Sequence, residues 1–190
     1  MHKVTALALL AGCVSVAGAA HAIARVCSPN VAQVVALDEC DPTTFNAPTK
    51  KGGLGQAGTG FCHEVALSAF GYATTLGDLI AKAAAGTPDP GWDFEPDQLT
   101  IDQGTNLSVV DQGGEPHTFT EVAEFGGGFV EALNHGEATV PECTGGFSNV
   151  AVARTRITQG SRLDVAGLSK GKHLFQCCIH PWMRMEVDVK

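Results

Sequence analysis

With 190 residues, 23 glycines and only 6% aromatic side chains, the chain has room for one ordinary domain and an added segment, and it suits a turn-rich β protein better than a helical bundle. A net charge of −8 argues against a protein built to hold nucleic acid, whose phosphates require a basic face. The acidic excess falls mostly after residue 90, where it serves solubility or meets a basic partner surface.

Residues 1–22 read as an export signal. Lys3 gives a minimal positive start, the stretch 4–20 is apolar, and Ala20-His21-Ala22 fits a small-residue cleavage site. Leu10-Ala11-Gly12-Cys13 also resembles a bacterial lipobox, which would anchor the chain to a membrane through Cys13. The leader before Cys13 is short, and apolar residues 14–20 would follow the anchor in place of a polar tether. The soluble form, exported to a periplasmic or extracellular space, is therefore the expectation.

Residues 23–90 are expected to form an N-terminal extension outside the main domain. The run Val31–Leu37 reads as a helical turn or an edge strand, and 41–60 reads as loop. Cys40 and Cys62 flank that loop, and a disulfide between them would restrict it in the unfolded state. Residues 76–85 carry the one clear amphipathic pattern, with Leu76, Leu79, Ile80, Ala83 and Ala84 on one stripe. Thr75 and Asp78 make a capping box, and Gly86 with Pro88 ends the segment. So short a helix cannot stand alone in water, so its stripe must dock on the neighbouring domain.

From Gly91 the period changes to two. Trp92 and Phe94 alternate, then Leu99 and Ile101, then Leu107 and Val109, and His117 shares a strand face with Phe119. Residues 126–148 are expected to form a long, irregular, glycine-rich connection of unassigned role. Further strands are expected at 150–153, 155–157, 162–165, 173–177 and 184–189. Seven or so short strands separated by turns argue an all-β sandwich over residues 91–190.

Chemistry concentrates at the end of the chain. Cys177, His180 and Met183 put a thiol, an imidazole and a thioether on one tight loop, a soft and metal-selective set. His117 is the best distant candidate for a fourth ligand. On a strand, neighbours Cys177 and Cys178 point to opposite faces, so only one of them can join His117. Taken alone, Cys-x-x-His is also half of a zinc site.

An upstream His followed by Cys177-x-x-His180-x-x-Met183 before a last strand resembles the cupredoxins, the small blue-copper proteins. The loop His180-Pro181-Trp182-Met183-Arg184 is similar to that of amicyanin-type members. The resemblance covers roughly residues 91–190. It implies a cupredoxin-like Greek-key β-sandwich holding one type 1 copper ion on His117, Cys177, His180 and Met183. Cys178 is then excluded as the ligand by the spacing, and Met185 becomes core packing. It also implies a one-electron carrier, not an enzyme, working between a protein donor and a protein acceptor. Pro181 and Trp182 would form an apolar rim around an exposed edge of His180, the usual electron exit.

Asp111 or Glu115 is expected to orient the second nitrogen of His117. His63, His135 and His173 are expected at the surface, although His135 could approach a metal from the glycine-rich connection. The pairing of Cys27, Cys143 and Cys178 stays open. Two other functions stay open as well: a copper enzyme or sensor with a substrate pocket over the metal, and a copper-delivery protein.

Overall fold

A computed structural model describes residues 30–47, 62 and 74–190. Its strands, in chain order, are β1 (Val31–Leu37), β2 (Asp93–Glu95), β3 (Gln98–Ile101), β4 (Asn106–Asp111), β5 (His117–Thr118), β6 (Thr120–Val122), β7 (Arg156–Ile157), β8 (Arg162–Val165), β9 (Gly171–Gln176) and β10 (Arg184–Val189). Among the described residues three α-helices accompany them: α1 (Pro42–Phe45), α2 (Leu76–Ala84) and α3 (Val150–Arg154). Two four-stranded sheets, ordered β2-β1-β4-β8 and β3-β10-β9-β6, make the expected sandwich, and β5 and β7 pair as a short separate ribbon. None of the described helices is long and apolar enough to cross a membrane.

The two sheets meet through aromatic side chains. Phe119 stacks on Phe175 of β9 with centroids 4.3 Å apart and meets Phe94 of β2 edge-on at 5.1 Å. Val34, Leu107, Val109, Met185 and Val187 complete this layer, all essentially without solvent exposure. Met185 is thus core packing, as expected.

The sandwich begins at Val31, not at Gly91. Strand β1 runs parallel to β4, with Val34 opposite Val109, and antiparallel to β2, with Ala36 opposite Phe94. It is an inner strand of its sheet, neither an edge strand nor a helical turn, and a boundary at 90/91 would cut that sheet in two. The physical reason lies in the pattern: Val31, Val35 and Leu37 are apolar although they stay exposed or only partly buried, so the run lacks the apolar-polar alternation that marks a half-buried strand.

The chain beyond β1 is woven into the same body. Asp41 caps α1 by accepting from the amides of Thr43 and Thr44. Residue 74 returns to the end of β1 through Thr74 N–H to the Glu39 carbonyl, 2.7 Å, and Asp41 N–H to the Thr74 carbonyl, 2.9 Å. Cys40 and Cys62 form the expected disulfide.

Helix α2 has the predicted start. Thr75 Oγ1 accepts from the Asp78 amide at 3.1 Å while donating to the Asp78 carboxylate at 2.7 Å. Its end is a Schellman turn, with Gly86 at φ +66° and the amides of Gly86 and Thr87 donating to the carbonyls of Ala83 and Lys82. Leu79 and Ala83 are buried, as the stripe requires.

Two expectations for the later chain need correction. Residues 150–153 are not a strand but most of α3, whose N-cap Asn149 accepts from the Ala151 amide at 3.0 Å. Val-Ala-Val-Ala suits either period, and the polar cap before it decides for a helix. The connection 126–148 is not irregular throughout. It folds into three 3-10 turns and is fixed to the sandwich by a Cys143–Cys178 disulfide and by Phe129 N–H to the Cys178 carbonyl, 2.8 Å. A Cβ at Gly128 would run into that same carbonyl, so only glycine permits the approach.

Asp93, half-buried on β2, gives a pH test of the fold. Burial, with smaller contributions from Asp97 and Glu95, outweighs the Phe94 amide and pushes its carboxyl up to about 6. The folded state therefore holds this proton more tightly than the unfolded chain, and stability falls as pH rises from about 4 through 6. Asp93→Asn should match wild type near pH 4 and exceed it in thermal midpoint above pH 6. Melting curves at pH 4 and 7.5 check this, and an equal change at both pH values would reject it.

Candidate metal centre

Three of the predicted residues come together. Strand β9 ends one residue before Cys177, the loop 177–183 turns back, and β10 leaves from Arg184. The turn is closed by its own backbone: Met183 N–H donates to the His180 carbonyl and Cys177 N–H to the Met183 carbonyl, each at 3.0 Å. His117 arrives on β5, paired with Ile157 of β7. Cys177 Sγ lies 3.9 Å from Nδ1 of His117 and 3.9 Å from Nδ1 of His180. All three side chains are buried.

The assignment of strand faces is as expected. Cys177 faces the main core, while Cys178 lies in a second apolar cluster with Val122, Val140, Val152 and its disulfide partner Cys143. Among the described residues Cys177 is the one free cysteine. Its sulfur also lies within reach of two backbone donors, the amides of Thr118 at 3.5 Å and His180 at 3.4 Å. Met183 is fully buried on the same loop.

The outer nitrogen of each imidazole meets a buried carboxylate. His117 Nε2 lies 2.8 Å from Asp38 Oδ2, and His180 Nε2 lies 3.4 Å from Glu115 Oε2. Asp38 corrects the sequence reading: neither Asp111 nor Glu115 bonds His117, and the partner comes from the segment just after β1. Asp38 is itself held by the amides of Gly114 and Glu115, both at 2.9 Å, and by Cys40 N–H at 3.2 Å. A Cβ at Gly113 would strike the Asp38 carboxylate, so glycine at this position allows the loop to close around it. Glu115 in turn accepts from Trp92 Nε1 at 3.0 Å. Asp111 is buried nearby, with Oδ1 taking the Gly113 amide at 2.9 Å and Oδ2 without a protein partner. Burial pushes its carboxyl up to about 7, with Asp38 adding to the shift and His117 opposing it.

His180 is not exposed. It retains 2% of its surface and is enclosed by Trp92 at 6.2 Å, His117 at 5.3 Å and Trp182 at 5.5 Å between ring centroids. Trp92 is itself stacked on Phe45 of α1 at 6.1 Å, so the segment before Gly91 helps to cover the site. An electron exit through a bare imidazole edge is therefore absent, and the partly exposed member of the group is Trp182.

The electrostatics follow from this geometry. Burial opposes every charge here, yet the contacts outweigh it. Hydrogen bonds from His117 and His180 hold the Cys177 thiol well below its usual range. Asp38 and then Cys177 hold His117 well above the usual imidazole value, and the charge of Glu115 with the Cys177 sulfur raises His180 to about 9. The hydrogen bond and charge of His117, with two loop amides, hold Asp38 below the usual carboxylate range.

A metal fits this arrangement. One ion at about 2.0 Å from nitrogen and about 2.3 Å from sulfur, in a trigonal arrangement, separates N from S by about 3.7 Å. Both observed N···S distances, 3.9 Å, lie close to this value. The donor set suits copper or zinc.

The remaining histidines lie away from this centre or outside the described residues. His135, at φ +47°, donates from Nδ1 to the Ala84 carbonyl at 3.1 Å and so ties the 126–148 connection to α2. His173 lies 2.6 Å from Glu121. His63, Cys13, Cys27 and the expected signal fall outside the described residues. Sequence reasoning missed Asp38 and Trp92 at the site. Asp38 had no signal, since it becomes relevant only once β1 is placed beside β4.

No family model matches the chain, and no curated protein matches it. Among solved structures it is similar to a purple cupredoxin from Nitrosopumilus maritimus, with 18% identity over 54% of this chain and 86% of that one, at a TM-score of 0.35. It is also similar to a reduced amicyanin variant, with 16% identity over 52% of this chain and 73% of that one, at a TM-score of 0.33.

Proposed function

We propose that this is an exported copper protein of the type 1 class, carrying single electrons between a protein donor and a protein acceptor. The observation that carries the reading is the convergence of the Cys177 sulfur with Nδ1 of both His117 and His180 in a buried site. Those three residues would hold the ion, and the buried Met183 on the same loop would supply a weaker sulfur donor. A copper ion so held supplies a one-electron couple, because the set compromises between the geometries its two oxidation states prefer.

The chain's own residues supply the rest. Asp38 and Glu115 fix both rings with Nδ1 turned inward, and Trp92 and Trp182 exclude water. The loop is closed by its own backbone and needs no rearrangement. Export is supported by the leader-like residues 1–22 and by two disulfides, which persist in oxidising compartments. The acidic surface suits basic partner proteins.

Titration of the metal-free protein with Cu(II) tests this. One equivalent should produce an intense visible thiolate-to-metal absorption, a reversible one-electron wave in voltammetry, and loss of colour on removal by a strong chelator. Colourless binding, or a preference for Zn(II) with no redox wave, would overturn the reading. Perturbation of the band by azide would favour the enzyme or sensor, and rapid loss of copper to a weak chelator would favour delivery.

A further inference from the structure

We propose that Asp38 and Glu115 act together as a potential-setting pair that biases the centre toward its oxidised state, making it a low-potential electron donor. This inference rests on the copper reading above. Both imidazoles present Nδ1 to Cys177 at 3.9 Å, and each places Nε2 against a carboxylate, at 2.8 Å for His117 and 3.4 Å for His180. The two carboxylates are nearly without exposure, Asp38 at 4% and Glu115 at 1%. In such surroundings charge is weakly screened, and a carboxylate behind a ligating histidine increases its basicity.

The balance of charge gives the direction. The thiolate and the two carboxylates that meet the imidazoles carry three negative charges, so a divalent ion would leave one net negative charge among them and a monovalent ion two, and Asp111, buried beside Asp38, offers no positive charge to offset them. Adding one electron from an external donor would therefore place a second uncompensated charge in a buried site, which desolvation disfavours. The donor that reduces this centre must be strongly reducing, and the acceptor need be only moderately oxidising.

Both carboxylates sit in built cradles. Asp38 accepts three backbone amides, and Gly113 lacks the Cβ that would displace it. Glu115 is held by Trp92 Nε1 at 3.0 Å. Such anchoring positions each carboxylate for one ring.

Redox titration of the copper-loaded full chain followed by its visible absorption tests the pair. Glu115→Gln keeps an oxygen for Trp92 and removes only the charge. It should raise the reduced-to-oxidised ratio at a fixed applied potential at least tenfold, which is about 59 mV for one electron. Asp38→Asn should shift the same way, and the double variant further. Glu115→Asp, which restores the charge, should return most of the shift. An unchanged potential in Glu115→Gln with the visible band intact would overturn the inference and leave the carrier reading standing. Absence of the band in wild type would remove the carrier reading itself. If Asp38→Asn fails to fold, the Glu115 pair of variants still decides.

Discussion

A chain cut to begin at Gly91 should fail to fold. The deletion removes β1 from between β2 and β4 and leaves two inner strand edges unpaired. Val34, Ala36, Phe45, Leu79 and Ala83 are lost from the core, where each is buried. Burying a large apolar side chain is worth about 1.5–3 kcal/mol. Val34, Phe45 and Leu79 together thus approach the whole stability of an ordinary domain, about 5–15 kcal/mol. The site suffers as well: the His117 ring and the amides of Gly114 and Glu115 lose the Asp38 carboxylate. Circular dichroism of the shortened chain should show no cooperative thermal transition, and added Cu(II) should give no visible band. A cooperative transition with an intact band would restore the segment to a merely accessory role.

Cys177→Ser should abolish the visible absorption outright, because the colour arises from the thiolate and no other free sulfur of a cysteine is present among the described residues. The informative control is a double variant, Cys143→Ala with Cys178→Ala. It removes the neighbouring crosslink and leaves Cys177 in place, so the band should persist while stability falls by about 2–5 kcal/mol. Urea unfolding of the metal-free proteins separates the two effects. A double variant that folds but stays colourless would show that Cys178, not Cys177, supplies the sulfur.

Local chemistry was legible in the sequence. The Thr75–Asp78 cap, the Gly86 stop and the Cys40–Cys62 staple depend on residues close in the chain, and all three are found. Alternation alone places Cys177 and Cys178 on opposite faces, and the structure puts them in separate apolar clusters. Readings that depended on distant partners were not available. Strand β1 pairs with β4 across a long stretch of sequence, and Asp38 gains its role from that pairing. The burial of His180 depends on Trp92, which Phe45 covers from the other side of the segment. Residues 150–153 failed for a different reason: a small-apolar alternation is locally ambiguous, and the Asn149 cap was the overlooked signal.

The Cys143–Cys178 crosslink has a chemical consequence for the residue beside it. Two adjacent thiols in an oxidising space compete for the same oxidants and exchange partners, because a thiolate attacks any accessible disulfide. With the sulfur of Cys178 already bonded to Cys143, Cys177 is the sulfur left unoxidised, and its complete burial keeps dissolved disulfides away from it. The crosslink therefore serves as a protecting group in the synthetic chemist's sense.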